Sequence, residues 1–408
     1  MNILVIINYN PWHQSSASAN RWLTLLEGLS NLGVEVELLI YGGYQTKEEK
    51  KSWAPIGFYA GIKYEYINKK LIEGYWKIRF YNYIGHLLDE NLYQKMLLNR
   101  LNFSNKIIWT DSSLFSFKFS VKFKSRKNKK TKLFLEMSEF LDIHLYNKGN
   151  FLQKGQGDRK KRYFEQSAFQ IYDGLALMTN TLIKHYSSFP GPKPKILHLP
   201  MTVDLERFSK QTEPLTQFEK PYIAFVGVMN DAKDGVSLLI RSFKEISNKF
   251  NNHKLYLIGG WNYDTPIHQQ LIQELGLQDR VQWRGEFQRD LIPAIINNAD
   301  LLALPRPDSK QAQGGFPTKL GEYLATGNPV CATRVGEIPN YLIDNESVFF
   351  AEPGSVPSFA AAIDRALSNP ELAKEVGLNG RKVAEKEFNK EIQAKKLYNF
   401  LLQLQQDT

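Results

Sequence analysis

The chain has 408 residues, 43% hydrophobic and 23% charged, a length that suits two cores of about 200 residues each better than one. No apolar run reaches the roughly 18–20 residues needed to cross a bilayer, which excludes a spanning helix. A formal net charge of +10 calls for an anionic partner, whether phosphate, nucleic acid or membrane surface.

Residues 3–7 form a short apolar run without the basic start, long apolar stretch or cleavage site of a signal peptide, and read as a first strand. A polar loop, 8–18, follows. Trp22, Leu23, Leu25, Leu26, Leu29 and Leu32 then recur at helical spacing, and Gly33 supplies the stop. Residues 34–40 alternate as a strand, so a strand–helix–strand unit within 40 residues predicts a parallel sheet. Further strand-like runs at 62–67, 106–109, 132–135, 174–178 and 195–199 complete a first doubly wound domain, 1–205. Residues 206–220 carry no periodicity and contain Pro214, and read as a linker. A second alternating series has strands at 222–226, 255–258, 281–283, 301–304, 329–332 and 348–350, with amphipathic helices such as 236–250 and 317–325. It defines a second domain, 221–388. The terminal stretch 389–408 is helical in pattern and is expected to pack back on the first domain. The fold class is therefore α/β, two Rossmann-like doubly wound domains facing a cleft, the usual place for a ligand.

Charge is uneven along the chain. Lys118, Lys122, Lys124, Arg126, Lys127, Lys129, Lys130 and Lys132 form one dense stretch without an acid. The single cysteine, Cys331, lies in an apolar run and reads as a buried, inert thiol, and the cytosol is the expected compartment. No Cys, His and Asp cluster has ligand spacing, so no metal and no cofactor are expected. The missing G-x-G-x-x-G after the first strand counts against a dinucleotide enzyme.

The most informative segment is 305–338, PRPDSKQAQGGFPTKLGEYLATGNPVCATRVGEI. A strand ends at Leu304, a loop with Gly314 and Gly315 follows, and a helix is expected to open at Pro317, the favoured first helical residue. Such a start presents free amides and the positive dipole end, a site for phosphate. Lys319 adds a full charge, and Glu322, one turn on, can accept two hydrogen bonds from a ribose diol. An ordinary loop–helix junction with a solvated lysine and glutamate fits the same residues.

This segment resembles the donor-site signature of glycosyltransferase family 4, retaining enzymes of the GT-B fold. Its second glutamate matches Glu322, with Gly327, Pro329 and Val330 in place, whereas Gly314 stands where the family has its first glutamate. The resemblance implies donor contacts from the backbone of Gly314, Gly315, Phe316, Pro317, Thr318, Lys319 and Leu320. The segment 225–239 resembles the family's strand-end glycine and Lys-Gly loop beside the donor diphosphate, here Gly227, Lys233 and Gly235; Val228 replaces a common arginine. The segments 200–208 and 281–287 match more weakly. Asp204 and Arg207 in the first read as structural, and Arg284 in the second reads as a nucleobase-stacking residue or a surface arginine. In the first domain, Glu136 and Glu139 close a strand where relatives place a histidine or acid facing the reacting sugar. Glu136 is the candidate for sugar hydroxyls, with a salt bridge to the nearby basic run as the alternative.

The resemblance implies a hexosyl transfer from a nucleotide sugar, as substrate, to a saccharide or lipid-linked saccharide acceptor in surface polysaccharide synthesis. Glu136, Lys233 and Lys319 are the expected catalytic group. Relatives need no metal and no protein nucleophile: the donor phosphate itself takes the acceptor proton. A sugar-nucleotide epimerase is the alternative enzyme. A basic nucleic-acid-binding protein is the alternative from another class, disfavoured because the basic stretch has few interleaved aromatics and no nucleic acid module is recognisable. The same basic stretch, with Trp76, Phe80 and Tyr81, points to an anionic membrane surface at the inner face of the cell membrane.

Overall fold

The computed structural model describes residues 1–14, 16–73, 86–100, 107–125, 131–142, 151–209 and 213–406. The aromatic residues Trp76, Phe80 and Tyr81, and Arg126, Lys127, Lys129 and Lys130 of the basic stretch, lie outside the described residues.

The chain divides into two compact units, Met1–Leu199 with Gln393–Thr408, and Pro200–Ile392. In the first, the strands are β1 (Asn2–Ile7), β2 (Glu35–Ile40), β3 (Ile56–Tyr59), β4 (Ile62–Tyr66), β5 (Ile107–Thr110), β6 (Lys132–Met137), β7 (Gly174–Leu177) and β8 (Lys195–His198). They lie in the order β3-β4-β2-β1-β5-β6-β7-β8, and all described pairings are parallel except β3 with β4. The central strands are mostly apolar because helices cover both faces of such a sheet. The core joins Trp22 of the Ala17–Asn31 helix to Trp109 of β5, ring centroids 4.7 Å apart. Leu397, Leu401 and Leu404 of the terminal helix are buried in this core, and a methyl group on Gly174 would lie 2.4 Å from Leu404.

Strand β3 has no counterpart in the expected series. It is an antiparallel edge whose Ile56 and Phe58 are exposed, so it lacks the buried periodicity that marks the other strands. The turn that joins it to β4 holds Ala60 at φ 50 and Gly61 at φ 75.

In the second unit the strands are β9 (Tyr222–Val226), β10 (Lys254–Ile258), β11 (Val281–Gly285), β12 (Leu301–Leu304), β13 (Val330–Thr333) and β14 (Phe349–Ala351). Their order is β11-β10-β9-β12-β13-β14, and every pairing is parallel. The order reverses at β9, so the carboxyl ends of β9 and β12 open a crevice of the kind that binds ligands in such sheets. Residues 200–220 fall within this unit, and most described residues of the linker expected at 206–220 are exposed. That segment contains the Glu206–Ser209 helix, and Phe218 is buried against Tyr222 and Tyr256. Aromatic packing fixes Phe218 without any helical or strand period to announce it.

Candidate active site

Two loops at the carboxyl ends of β9 and β12 build the site. After β9, the Gly227 amide donates to the Ile258 carbonyl at 2.8 Å. The Asn230 side chain caps the short Asp231–Asp234 helix by accepting from the Lys233 amide at 2.8 Å. Asp264, itself buried, accepts from the Asp231 amide at 3.0 Å. Gly235 then turns the chain at φ 69, and a methyl group there would lie 2.1 Å from the Pro305 carbonyl, so only glycine fits. The loop is thereby fixed, with half-buried Lys233 and buried Asp234 at its end.

After β12, Ser309 caps the Lys310–Gly314 helix through the Ala312 amide, and Gly315 continues extended. Phe316 turns inward, its ring 5.6 Å from Tyr341 and 5.1 Å from Phe388. Its side chain is thus core, and only its backbone is available to a ligand. Pro317 is the cap and not the first helical residue: its ψ of 114° is extended, and the helix is Thr318–Thr326. The Leu320 amide returns to the Pro317 carbonyl at 3.0 Å. Among the described residues the amides of Thr318 and Lys319 have no acceptor, which leaves two donors at the positive end of the helix dipole.

Lys319 joins the two loops. Its ammonium lies 2.7 Å from the Asp234 carboxylate and 4.6 Å from the centroid of the Phe225 ring. A methyl group on Gly227 would lie 2.0 Å from Nζ, so the strand-end glycine makes room for the cation. Burial pulls the Lys319 pKa down, Asp234 opposes that, and the cations Lys233 and Arg306 add to it. Glu322 follows one turn on. Its carboxylate accepts from Arg207 Nη1 at 3.3 Å, and Arg207 Nη2 donates to the Arg289 carbonyl at 2.9 Å. Burial raises the Glu322 pKa, against Arg207, Arg289 and Lys319. Arg207, taken from the sequence as structural, thus touches the residue expected to read the ribose.

The structure therefore brings Gly227, Thr318, Lys319 and Glu322 together, with Asp234 and Arg306 as additions that the sequence did not single out. Arg284 has partners of its own: its guanidinium sits over Tyr256 at 5.1 Å and donates to the Gln217 carbonyl at 2.9 Å.

Glu136 belongs to the first unit, at the end of β6. Among the described residues its ion pair is with Arg21 of the Ala17–Asn31 helix, Nε to Oε1 at 3.1 Å, the side chains 4% and 7% exposed. Arg21 also donates to the Leu199 carbonyl at 2.7 Å. Burial raises the Glu136 pKa, with Arg21 opposing. Tyr9, in the loop after β1, is a neighbour the sequence did not flag. Burial pushes its hydroxyl up to about 12, the Ser18 hydroxyl opposes, and the Asp111 and Glu136 carboxylates add to the rise. Cys331 is fully buried and its thiol is pushed up by that burial.

Residues 207–383, which contain both loops, match the family described as glycosyl transferases group 1. Over those residues the chain is similar to group 1 glycosyltransferases. Among its relatives is a GDP-mannose-dependent alpha-(1-6)-phosphatidylinositol monomannoside mannosyltransferase of Mycolicibacterium smegmatis, 24% identical over 219 residues, 51% of this chain and 56% of that one. An alpha-D-kanosaminyltransferase of Streptomyces kanamyceticus is 26% identical over 161 residues, 40% of each chain. The match to the mannosyltransferase thus spans little more than half of that relative's length. Solved structures share the fold over the whole chain. A sucrose-phosphate synthase from Thermosynechococcus elongatus gives a TM-score of 0.78 at 16% identity, covering 100% of both chains. Anabaena HepE in complex with UDP gives 0.71 at 13%, covering 99% of this chain and 100% of that one. These likenesses fix the fold as that of GT-B glycosyltransferases. Among the described residues no helix is long and apolar enough to cross a membrane, and no three His, Cys, Asp or Glu side chains are grouped to hold a metal ion.

Proposed function

We propose that the protein is a retaining hexosyltransferase that takes a nucleotide sugar as donor and a saccharide or lipid-linked saccharide as acceptor, in surface polysaccharide synthesis. The observation that carries this reading is the start of the Thr318–Thr326 helix. Two free amides and the Lys319 ammonium stand at that start, the ammonium against the strand-end Gly227, and Glu322 stands one turn further. That set matches a diphosphate joined to a ribose: amides and cation for the phosphates, carboxylate for the diol. Charge grows on the leaving diphosphate as the glycosidic bond breaks, so donors already in place stabilise the transition state more than the ground state. No protein nucleophile is needed, because the departing phosphate oxygen takes the acceptor proton while the acceptor oxygen attacks from the same face. Glu136, beside Arg21, is the residue we assign to sugar hydroxyls.

Two relatives support the class of reactants: one is a phosphatidylinositol monomannoside mannosyltransferase, and another, from Staphylococcus aureus, is a capsular polysaccharide biosynthesis glycosyltransferase. A lipid-linked acceptor accords with peripheral attachment to an anionic membrane at its cytoplasmic face. Of the described part of the basic stretch, Lys122 is exposed and Lys118 half-buried, whereas Lys132 is buried and Lys124 is engaged by Asp173 at 2.9 Å. Co-sedimentation with anionic but not neutral vesicles, weakened by salt, is the outcome expected.

Thermal shift against a panel of nucleotide sugars tests the donor, since a bound ligand raises apparent stability by mass action. NMR of the product formed with the stabilising donor then reads the anomeric configuration. Inversion at the anomeric carbon would refute the retaining course, and stabilisation by none of the panel would remove the donor assignment.

A further inference from the structure

We propose that Asp234 is a positioning residue for the donor diphosphate, one that holds the Lys319 ammonium in place at Gly227; this rests on the reading of the site given above. Three observations carry it. First, the contact is close and enclosed: Oδ1 lies 2.7 Å from Nζ, and the Asp234 side chain is only 2% exposed. Second, the other carboxylate oxygen, Oδ2, is buried and has no hydrogen-bond partner. An enclosed oxygen of that kind is not placed to meet a ligand. Among the described residues the carboxylate's side-chain partner is Lys319, so its task is the lysine. Third, the backbone gives Asp234 no freedom to move. Its amide donates to the Asn230 carbonyl at 2.8 Å, and the next residue is the glycine that packs on Pro305.

A lysine is a compact charge on a four-carbon stem, and left alone it samples many rotamers. Here the ammonium lies over the Phe225 ring and rests where Gly227 lacks a side chain, and Asp234 holds it from another side. The cation is thus ordered before the diphosphate arrives, which lowers what binding must spend on ordering it. Asp234 also supports the charge itself. Burial and the cations Lys233 and Arg306 favour loss of the Lys319 proton, and Asp234 opposes all three. On the same helix, Glu322 faces Lys319 as a second acid.

The test uses the full chain with UDP, GDP and ADP as probes, taking whichever binds the wild-type protein by calorimetry. Asp234→Asn is expected to weaken that diphosphate about tenfold or more while the matching nucleoside monophosphate loses far less. Its affinity should also fall away at lower pH than in the wild type, because Lys319 has lost the carboxylate that keeps it protonated. In a Lys319→Ala background, Asp234→Asn should have almost no further effect. A folded Asp234→Asn protein with wild-type affinity and pH profile overturns the proposal, as does an undiminished effect in the Lys319→Ala background. Should Asp234→Asn not fold, Asp234→Glu carries the test: the charge is kept and the ammonium displaced, so weaker binding with an unmoved alkaline limb is expected, and wild-type affinity overturns it. If no diphosphate binds the wild type, or Lys319→Ala leaves binding intact, the site reading itself has failed. If only the Asp234 variants bind normally, the positioning role alone has failed.

Discussion

The Tyr323 hydroxyl accepts from the Val226 amide at 2.7 Å and lies 3.3 Å from the Val226 carbonyl, so one phenol engages both polar groups of the last residue of β9. Tyr323 sits on the helix that carries Lys319 and Glu322, and Val226 precedes Gly227. The hydroxyl therefore sets the distance between the helix start and the strand-end glycine. Tyr323→Phe removes both bonds and leaves a backbone amide unpaired, which costs on the order of 1–3 kcal/mol. Calorimetric melting is expected to show that loss, and nucleotide titration a weaker donor site. Unchanged affinity in the destabilised variant would show that the two loops keep their spacing without the phenol.

Gly227 and Gly259 offer a sharper contrast. A methyl on Gly227 would lie 2.0 Å from the end of the flexible Lys319 side chain, whereas a methyl on Gly259 would lie 1.8 Å from the Gly227 carbonyl. Side chains yield and backbones do not. Gly227→Ala should therefore fold with near-normal stability yet displace the ammonium, lowering kcat by roughly 10²–10³-fold, as Lys319→Ala would. Gly259→Ala should melt lower. Steady-state kinetics beside melting curves separate the two, and a fully active Gly227→Ala enzyme would dissociate Lys319 from catalysis.

Glu322 combines a functional demand with a thermodynamic cost. Burial raises its pKa against the pull of Arg207, Arg289 and Lys319. A carboxyl whose folded pKa lies above its unfolded value stabilises the fold while protonated. That contribution is complete below the unfolded pKa and is lost as pH rises through the folded one. At neutral pH the ionised Glu322 thus costs stability, and Glu322→Gln should melt no lower than the wild type. Donor affinity should nevertheless drop, because an amide offers one acceptor oxygen where the ribose diol needs two. In the wild type, donor affinity should weaken on the acid side at a pH above the ordinary glutamate range. Melting and titration across pH check both halves.

The sequence made the second unit's site legible because helix start, strand-end glycine and charged residues fall in one short pattern with a physical meaning. Thr318, Lys319 and Glu322 needed no tertiary information to be noticed. Asp234 and Arg306 did, since a single acid in a loop and an arginine between two prolines carry no period and no partner until the fold supplies one. The pairing of Arg207 with Glu322 spans more than a hundred residues and has no local signal at all. Phe218 has no local signal either: it is ordered by Tyr222 and Tyr256, not by its neighbours in sequence. In the first unit, Glu136 was noticed by its place at a strand end, yet its partner Arg21 lies on the first helix, 115 residues away in sequence.

That pair also gives the last prediction, because Glu136 has two possible occupations and they separate cleanly. Arg21 and Glu136 are 3.1 Å apart with side chains 4% and 7% exposed, so each neutralises a charge that burial would otherwise disfavour. Removing one partner strands the other: Arg21→Met or Glu136→Leu alone should cost about 3–5 kcal/mol. Replacing both by apolar residues of similar size removes both charges, so the double variant should recover much of that loss, a coupling that a mutant cycle measures directly. Stability then no longer reports on function, and turnover does. If Glu136 reads sugar hydroxyls, Arg21→Met/Glu136→Leu should fold soundly, still bind the nucleotide diphosphate at the second unit, and transfer sugar poorly. A stable double variant with wild-type turnover would reduce Glu136 to half of a structural ion pair.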